Sequence, residues 1–71
     1  MPKFPRVSGR DTIRALEKLG FVQQRQRGSH VVLRRGTKGC VVPVHKELKT
    51  GTLIGILRQA EVTADEFIES L

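Results

Sequence analysis

The sequence predicts an α+β fold in two layers, with three antiparallel strands on one side and helices on the other. Helix-start signatures stand near both ends of the chain, and between them lie three extended segments separated by glycine-containing turns. The first signature is Ser8-Gly9-Arg10-Asp11, a capping box whose hydroxyl and carboxylate satisfy the orphan amides of a first turn. Ile13, Leu16 and Leu19, with Ala15 beside them, recur at helical spacing, while Arg10, Arg14, Glu17 and Lys18 face water. Gly20 follows, where a left-handed residue ends a helix.

Phe21 to Arg27 reads as a first strand, mostly Gln and Arg and therefore partly exposed. Gly28-Ser29 makes a tight turn, and His30 to Arg34, rich in β-branched residues, a second strand. Arg35 to Gly39 reads as a loop and Cys40 to Val44 as a third strand. Pro43 has no amide proton, which puts that strand at an edge or near its end. A second helix starts at Thr50 to Thr52 and runs to Ala60, with Leu53, Ile56, Leu57 and Ala60 as its apolar face. Gly55 within it costs about 1 kcal/mol relative to alanine. Thr63-Ala64-Asp65-Glu66 is a second capping box, opening a short helix packed by Phe67, Ile68 and Leu71.

The order is α-β-β-β-α with a short extra C-terminal helix, a two-layer sandwich that is also the layout of double-stranded-RNA-binding domains. With Val31 and Leu33 turned to the helices, His30, Val32 and Arg34 take the open face. Val42 and Val44 as core residues leave Val41, Pro43 and His45 on that face. One register pairs Val31 with Val44 and sets His30 opposite His45; a two-residue slip keeps the faces and separates the histidines.

A chain of 71 residues has room for one domain, expected to span residues 1–71. The longest apolar stretch, Leu53 to Leu57, falls far short of the roughly 20 residues that cross a bilayer. The basic start from Met1 to Arg6 lacks the apolar region of a secretory signal. A single cysteine, Cys40, makes no internal disulfide, and the expectation is a reducing, cytoplasmic setting.

Charge carries the first functional information. All 13 basic residues lie within positions 1–60, against only Asp11, Glu17 and Glu47, while residues 61–71 hold four acids and no base. Such a polycation with an acidic tail favours a polyanionic partner, and nucleic acid is the usual one. The few acids in the body make no paired-carboxylate, two-metal site, and one cysteine with two histidines makes no zinc site, so no cofactor is expected. Trp and Tyr are absent and Phe21 and Phe67 read as core, so recognition is expected through backbone and shape rather than base stacking.

His30 follows the Gly28-Ser29 turn amid Arg25, Arg27, Arg34 and Arg35. An imidazole, with an unperturbed pKa of about 6.5, both takes and gives a proton near neutrality. Beside RNA it would deprotonate a 2′-hydroxyl, whose oxygen then attacks its own phosphodiester. The guanidinium groups would stabilise the negative charge that develops. Ser29 and the Gly28 amide would hold a nonbridging oxygen, and His45 is the candidate acid for the leaving 5′-oxygen. Lys38, Lys46 and Lys49 complete the expected RNA contacts, and Gly51 and Thr52 offer backbone amides at a helix start. Structural readings stand beside each: an exposed histidine, a strand-end histidine, a capped helix.

Gly28-Ser29-His30, then Val42-Pro43-Val44-His45, then Glu47 to Leu53 entering a helix that ends Ile56-Leu57-Arg58-Gln59-Ala60, preceded by Leu16 to Phe21, resembles the HicA-type mRNA interferase toxins. The likeness runs from Ser8 to Val62. It implies a toxin with a double-stranded-RNA-binding-like fold that cleaves mRNA without a metal and is neutralised by a HicB-type antitoxin. It also implies that His30, the histidine of the Gly-Ser-His motif, is catalytic. Many members carry a second histidine next to it, where this chain has Val31, which leaves the general acid open. A catalytically silent RNA-binding module, and a basic face that meets an acidic protein, are the alternative readings.

Overall fold

The structure is a computed structural model that describes residues 4–71; Met1-Pro2-Lys3, part of the segment read above as lacking a signal, lie outside the described residues. Helix α1 (Gly9–Lys18) is followed by strands β1 (Val22–Arg27), β2 (His30–Arg35) and β3 (Lys38–Pro43), then helices α2 (Thr50–Ala60) and α3 (Ala64–Ser70). The three strands form one antiparallel sheet in the order β1-β2-β3. This is the expected α-β-β-β-α layout with a short third helix, consistent with a double-stranded-RNA-binding-like fold. No helix among the described residues is long and apolar enough to cross a membrane.

Both capping boxes form. The Ser8 hydroxyl accepts from the Asp11 amide at 3.0 Å while the Asp11 carboxylate accepts from the Ser8 amide at 3.2 Å, and Thr63 and Glu66 repeat the exchange at 3.1 and 3.0 Å. These bonds hold the Asp11 and Glu66 carboxyls below their ordinary values of 3.8 and 4.5. A carboxyl whose folded pKa is depressed contributes stability that is complete above its unfolded value and lost as the pH falls through the folded one. Stability is therefore expected to decline as the pH drops through 4.5 and 3.8, and the decline to flatten in Asp11→Asn/Glu66→Gln. Acid unfolding followed by circular dichroism checks this.

One core joins the layers. Ile13, Ala15 and Leu16 of α1, Val31 and Leu33 of β2, Cys40 and Val42 of β3, the predicted face of α2 and Phe67 of α3 are all buried together. The Cys40 thiol is buried in this core, and burial pushes its pKa up to about 11. Thr12, buried inside α1, donates its hydroxyl to the Ser8 carbonyl at 2.9 Å. Leu71 departs from expectation: α3 ends at Ser70, so Leu71 falls off the Phe67 face and is exposed.

The second turn also departs from expectation. Gly36 adopts φ +61 and makes, with Thr37, a two-residue turn between the paired residues Arg35 and Lys38, where a five-residue loop was expected. Strand β3 therefore starts at Lys38, and a tight turn fixes register. Val31 pairs with Val42, not Val44, and His30 lies opposite Pro43, not His45. The slip is two residues, so every side chain keeps its predicted face and only the histidine pairing is lost. Pro43 meets both of its expectations, ending an edge strand.

Candidate active site

The ladder pairing places the candidate residues. Arg27, His30 and Pro43 lie side by side across the sheet, and Arg25, Val32 and Val41 form the next row. Beyond them come Val22, Arg34 and Gly39. Because facing residues share a side of the sheet, all nine belong to the face turned away from the helices. His30 thus stands in a field of three exposed guanidinium groups around an apolar centre, with Val22 and Val41 both exposed. No carboxylate occupies a paired position on that face.

The turn before His30 is fixed from both sides. Gly28, at φ +54, takes the first central position of a two-residue hairpin turn, a conformation that glycine adopts without steric cost. The Ser29 carbonyl accepts the Val44 amide at 2.6 Å, and the Gln26 side chain donates to the Gly28 carbonyl at 2.9 Å. The Gly-Ser-His segment is thereby tied to the chain that leaves β3.

The other predicted residues are distributed elsewhere. His45 lies beyond the end of β3; its carbonyl accepts the Gly9 amide at 2.8 Å, and its residue lines a depression with Ser8, Arg10, Val44 and Lys46 beside the start of α1. It is not opposite His30, as the register slip requires. Lys46 and Lys49 are exposed on the connection to α2, with Lys49 as the N-cap residue, making no side-chain capping bond. Lys38 pairs with Glu61 at the end of α2.

Arg35 is separated from Arg34 by the strand's alternation. It faces the helix side, where its guanidinium donates to the Leu19 carbonyl at 2.7 Å and stacks 4.7 Å from the centroid of the Phe21 ring. It closes the carboxyl end of α1, where a cation is favoured. Arg35→Ala is expected to cost about 2 kcal/mol, from a charge-assisted hydrogen bond and a cation–π contact. Arg34→Ala, on the exposed face, is expected to cost under about 0.5 kcal/mol. Thermal unfolding of the two variants separates these roles.

Sequence reasoning passed over one group. Gln23 and Gln26 of β1 lie opposite Leu33 and Val31, hence on the helix side, and a cleft separates them from Arg10 and Arg14 of α1. The signal was a strand polar at both alternating parities, which leaves its inward face without a core partner.

The fold and the site define a small basic α+β domain with a histidine among arginines on its open sheet face. The family model described as HicA toxin of bacterial toxin-antitoxin matches residues 9–62, most of the chain. The chain therefore belongs to the HicA toxin family and is a toxin of toxin–antitoxin type. No curated protein matches it.

Proposed function

We propose that this toxin is a metal-independent endoribonuclease that cleaves mRNA with His30 as its catalytic residue, and that a HicB-type antitoxin neutralises it in the cytoplasm. The observation that supports the reading best is the placement of His30 on an exposed face in the same row as Arg27, with Arg25 and Arg34 on that face. In the reaction, the imidazole takes the proton of a ribose 2′-hydroxyl and the freed oxygen bonds to the adjacent phosphorus. The P–O5′ bond then breaks, leaving a 2′,3′-cyclic phosphate on one product. The 5′-oxygen takes its proton from solvent, which reaches the exposed site.

Arg25, Arg27 and Arg34 hold the phosphates and stabilise the charge of the pentavalent transition state. The Ser29 hydroxyl and the Gly28 amide hold a nonbridging oxygen. Lys46 and Lys49 extend the contact along the RNA backbone, and Lys38 adds to it at the far end of the sheet when it leaves Glu61. Arg35 serves packing.

The test is cleavage of a labelled RNA by the purified protein with EDTA present, followed by analysis of the product ends. Undiminished cutting that leaves 2′,3′-cyclic or 3′-phosphate ends is expected. Activity that returns only on adding magnesium would contradict the mechanism, and RNA binding without cutting would leave a silent binding module.

A further inference from the structure

Strand β1 has no apolar inward face. Gln23 and Gln26 sit opposite Leu33 and Val31, both buried, yet both glutamines are exposed. They share the helix side although three residues apart, because the ladder slips between Gln23 and Arg25 and leaves Gln24 unpaired. Bulges of this kind re-aim side chains beside functional sites. The same slip keeps Arg25 and Arg27 together on the open face.

Between these carboxamides and α1 lies a half-open cleft of about 160 Å³. Its lining is mainly polar, from Arg10, Arg14, Glu17, Gln23 and Gln26, with the buried Ile13 and Val31 and the half-buried Val44 behind them. Carboxamides supply both donors and acceptors to a base edge. The Gln23 amide nitrogen reaches Glu17 at 3.4 Å and that of Gln26 donates to Gly28 at 2.9 Å, while neither side-chain oxygen has a partner in a described hydrogen bond. Among the described residues no acid pairs with Arg10. The neighbouring depression shares Arg10 and Val44 and continues to His45 and Lys46, a cationic path for a phosphodiester chain.

We infer that this cleft is a nucleotide subsite for single-stranded RNA, in which Gln23 and Gln26 read the edge of one unpaired base and Arg10 holds the adjoining phosphate. The inference rests on the ribonuclease reading above. Sequence-specific reading of RNA targets unpaired bases, so the substrate at this point is unpaired. Through its bond to Gly28, Gln26 couples the occupied cleft to the turn that carries His30 and gives the cut its base preference.

The experiment measures binding of a labelled single-stranded oligoribonucleotide to His30→Ala protein, which holds RNA without cutting, and to the same protein carrying Gln23→Ala or Arg10→Ala. Cut sites are mapped in parallel for wild type, Gln23→Ala and Arg10→Ala. Each added substitution is expected to weaken binding about tenfold. Gln23→Ala flattens the base preference at one position flanking the cut, while Arg10→Ala lowers cutting at all sites alike and reduces the salt dependence of binding. An RNA with an abasic nucleotide at that position abolishes the difference between Gln23→Ala and its parent. Unchanged affinity and an unchanged cut pattern in both variants overturn the subsite while leaving the ribonuclease standing. The same holds if the variants bind RNA normally and lose only antitoxin binding. If the wild-type chain neither binds nor cuts RNA, the ribonuclease reading fails and the subsite falls with it.

Discussion

His30→Ala is expected to abolish RNA cleavage and toxicity in cells while the protein stays folded and keeps much of its affinity for RNA. Removing a general base costs about 10² to 10⁴ in rate. His30 is exposed at the start of β2, so stability should change by less than about 0.5 kcal/mol. On the proposed reading affinity survives, because Arg25, Arg27 and Arg34 would hold phosphate independently of the imidazole. The checks are a cleavage time course, a binding isotherm and a melting curve on the same purified protein. Retained cleavage would sink the mechanism. His45→Ala provides the contrast: since Pro43 and not His45 faces His30, it should keep most turnover.

Gly9→Ala should be the most damaging single-methyl change near the site. Gly9 opens α1 against the end of β3, where a Cβ would come within 2.0 Å of the Pro43 carbonyl oxygen and 2.9 Å of the Val44 Cα. Both are backbone atoms, so no side chain can swing away to make room. The Gly9 amide also donates to the His45 carbonyl at 2.8 Å, and the Val7 carbonyl accepts the Leu48 amide at 2.8 Å, so the two segments are laced together. Forcing them apart is expected to cost about 3 kcal/mol, the upper part of the usual range for overpacking. For a domain this small that means a melting temperature lower by more than about 10 °C. Thermal unfolding by circular dichroism measures it, and an unaltered midpoint would show that the helix start shifts freely. Because Val44 also donates to Ser29, the same substitution should lower cleavage by loosening the turn before His30.

Local chemistry is what made the elements readable. The Ser8–Asp11 and Thr63–Glu66 boxes are short-range devices, and both helices start where those residues put them. Alternation along β2 assigned Val31 and Leu33 to the core and His30, Val32 and Arg34 to the open face, and the burial agrees at each position. The position of His30 within the Gly-Ser-His turn, and the arginines around it, needed no long-range information.

Pairing between distant residues was a different matter. Register between β2 and β3 depends on which residues make the turn, and Gly36-Thr37 and a wider loop differ by only one residue in the position of the turn's centre. That difference becomes two residues in the ladder and moves His45 away from His30. Sign of charge likewise told nothing of direction. Arg34 and Arg35 are adjacent in sequence, but one faces outward over the sheet and the other is held by the Leu19 carbonyl and the Phe21 ring. The cleft between α1 and β1 is a void between two elements and has no signature in either alone. By itself the sequence determined the elements, their faces and the histidine with its basic setting, because capping, alternation and composition act over a few residues. Only the tertiary structure decided the register, the inward turn of Arg35, the close contact at Gly9 and the cleft beside Gln23 and Gln26, because each depends on how segments far apart in the chain are brought together.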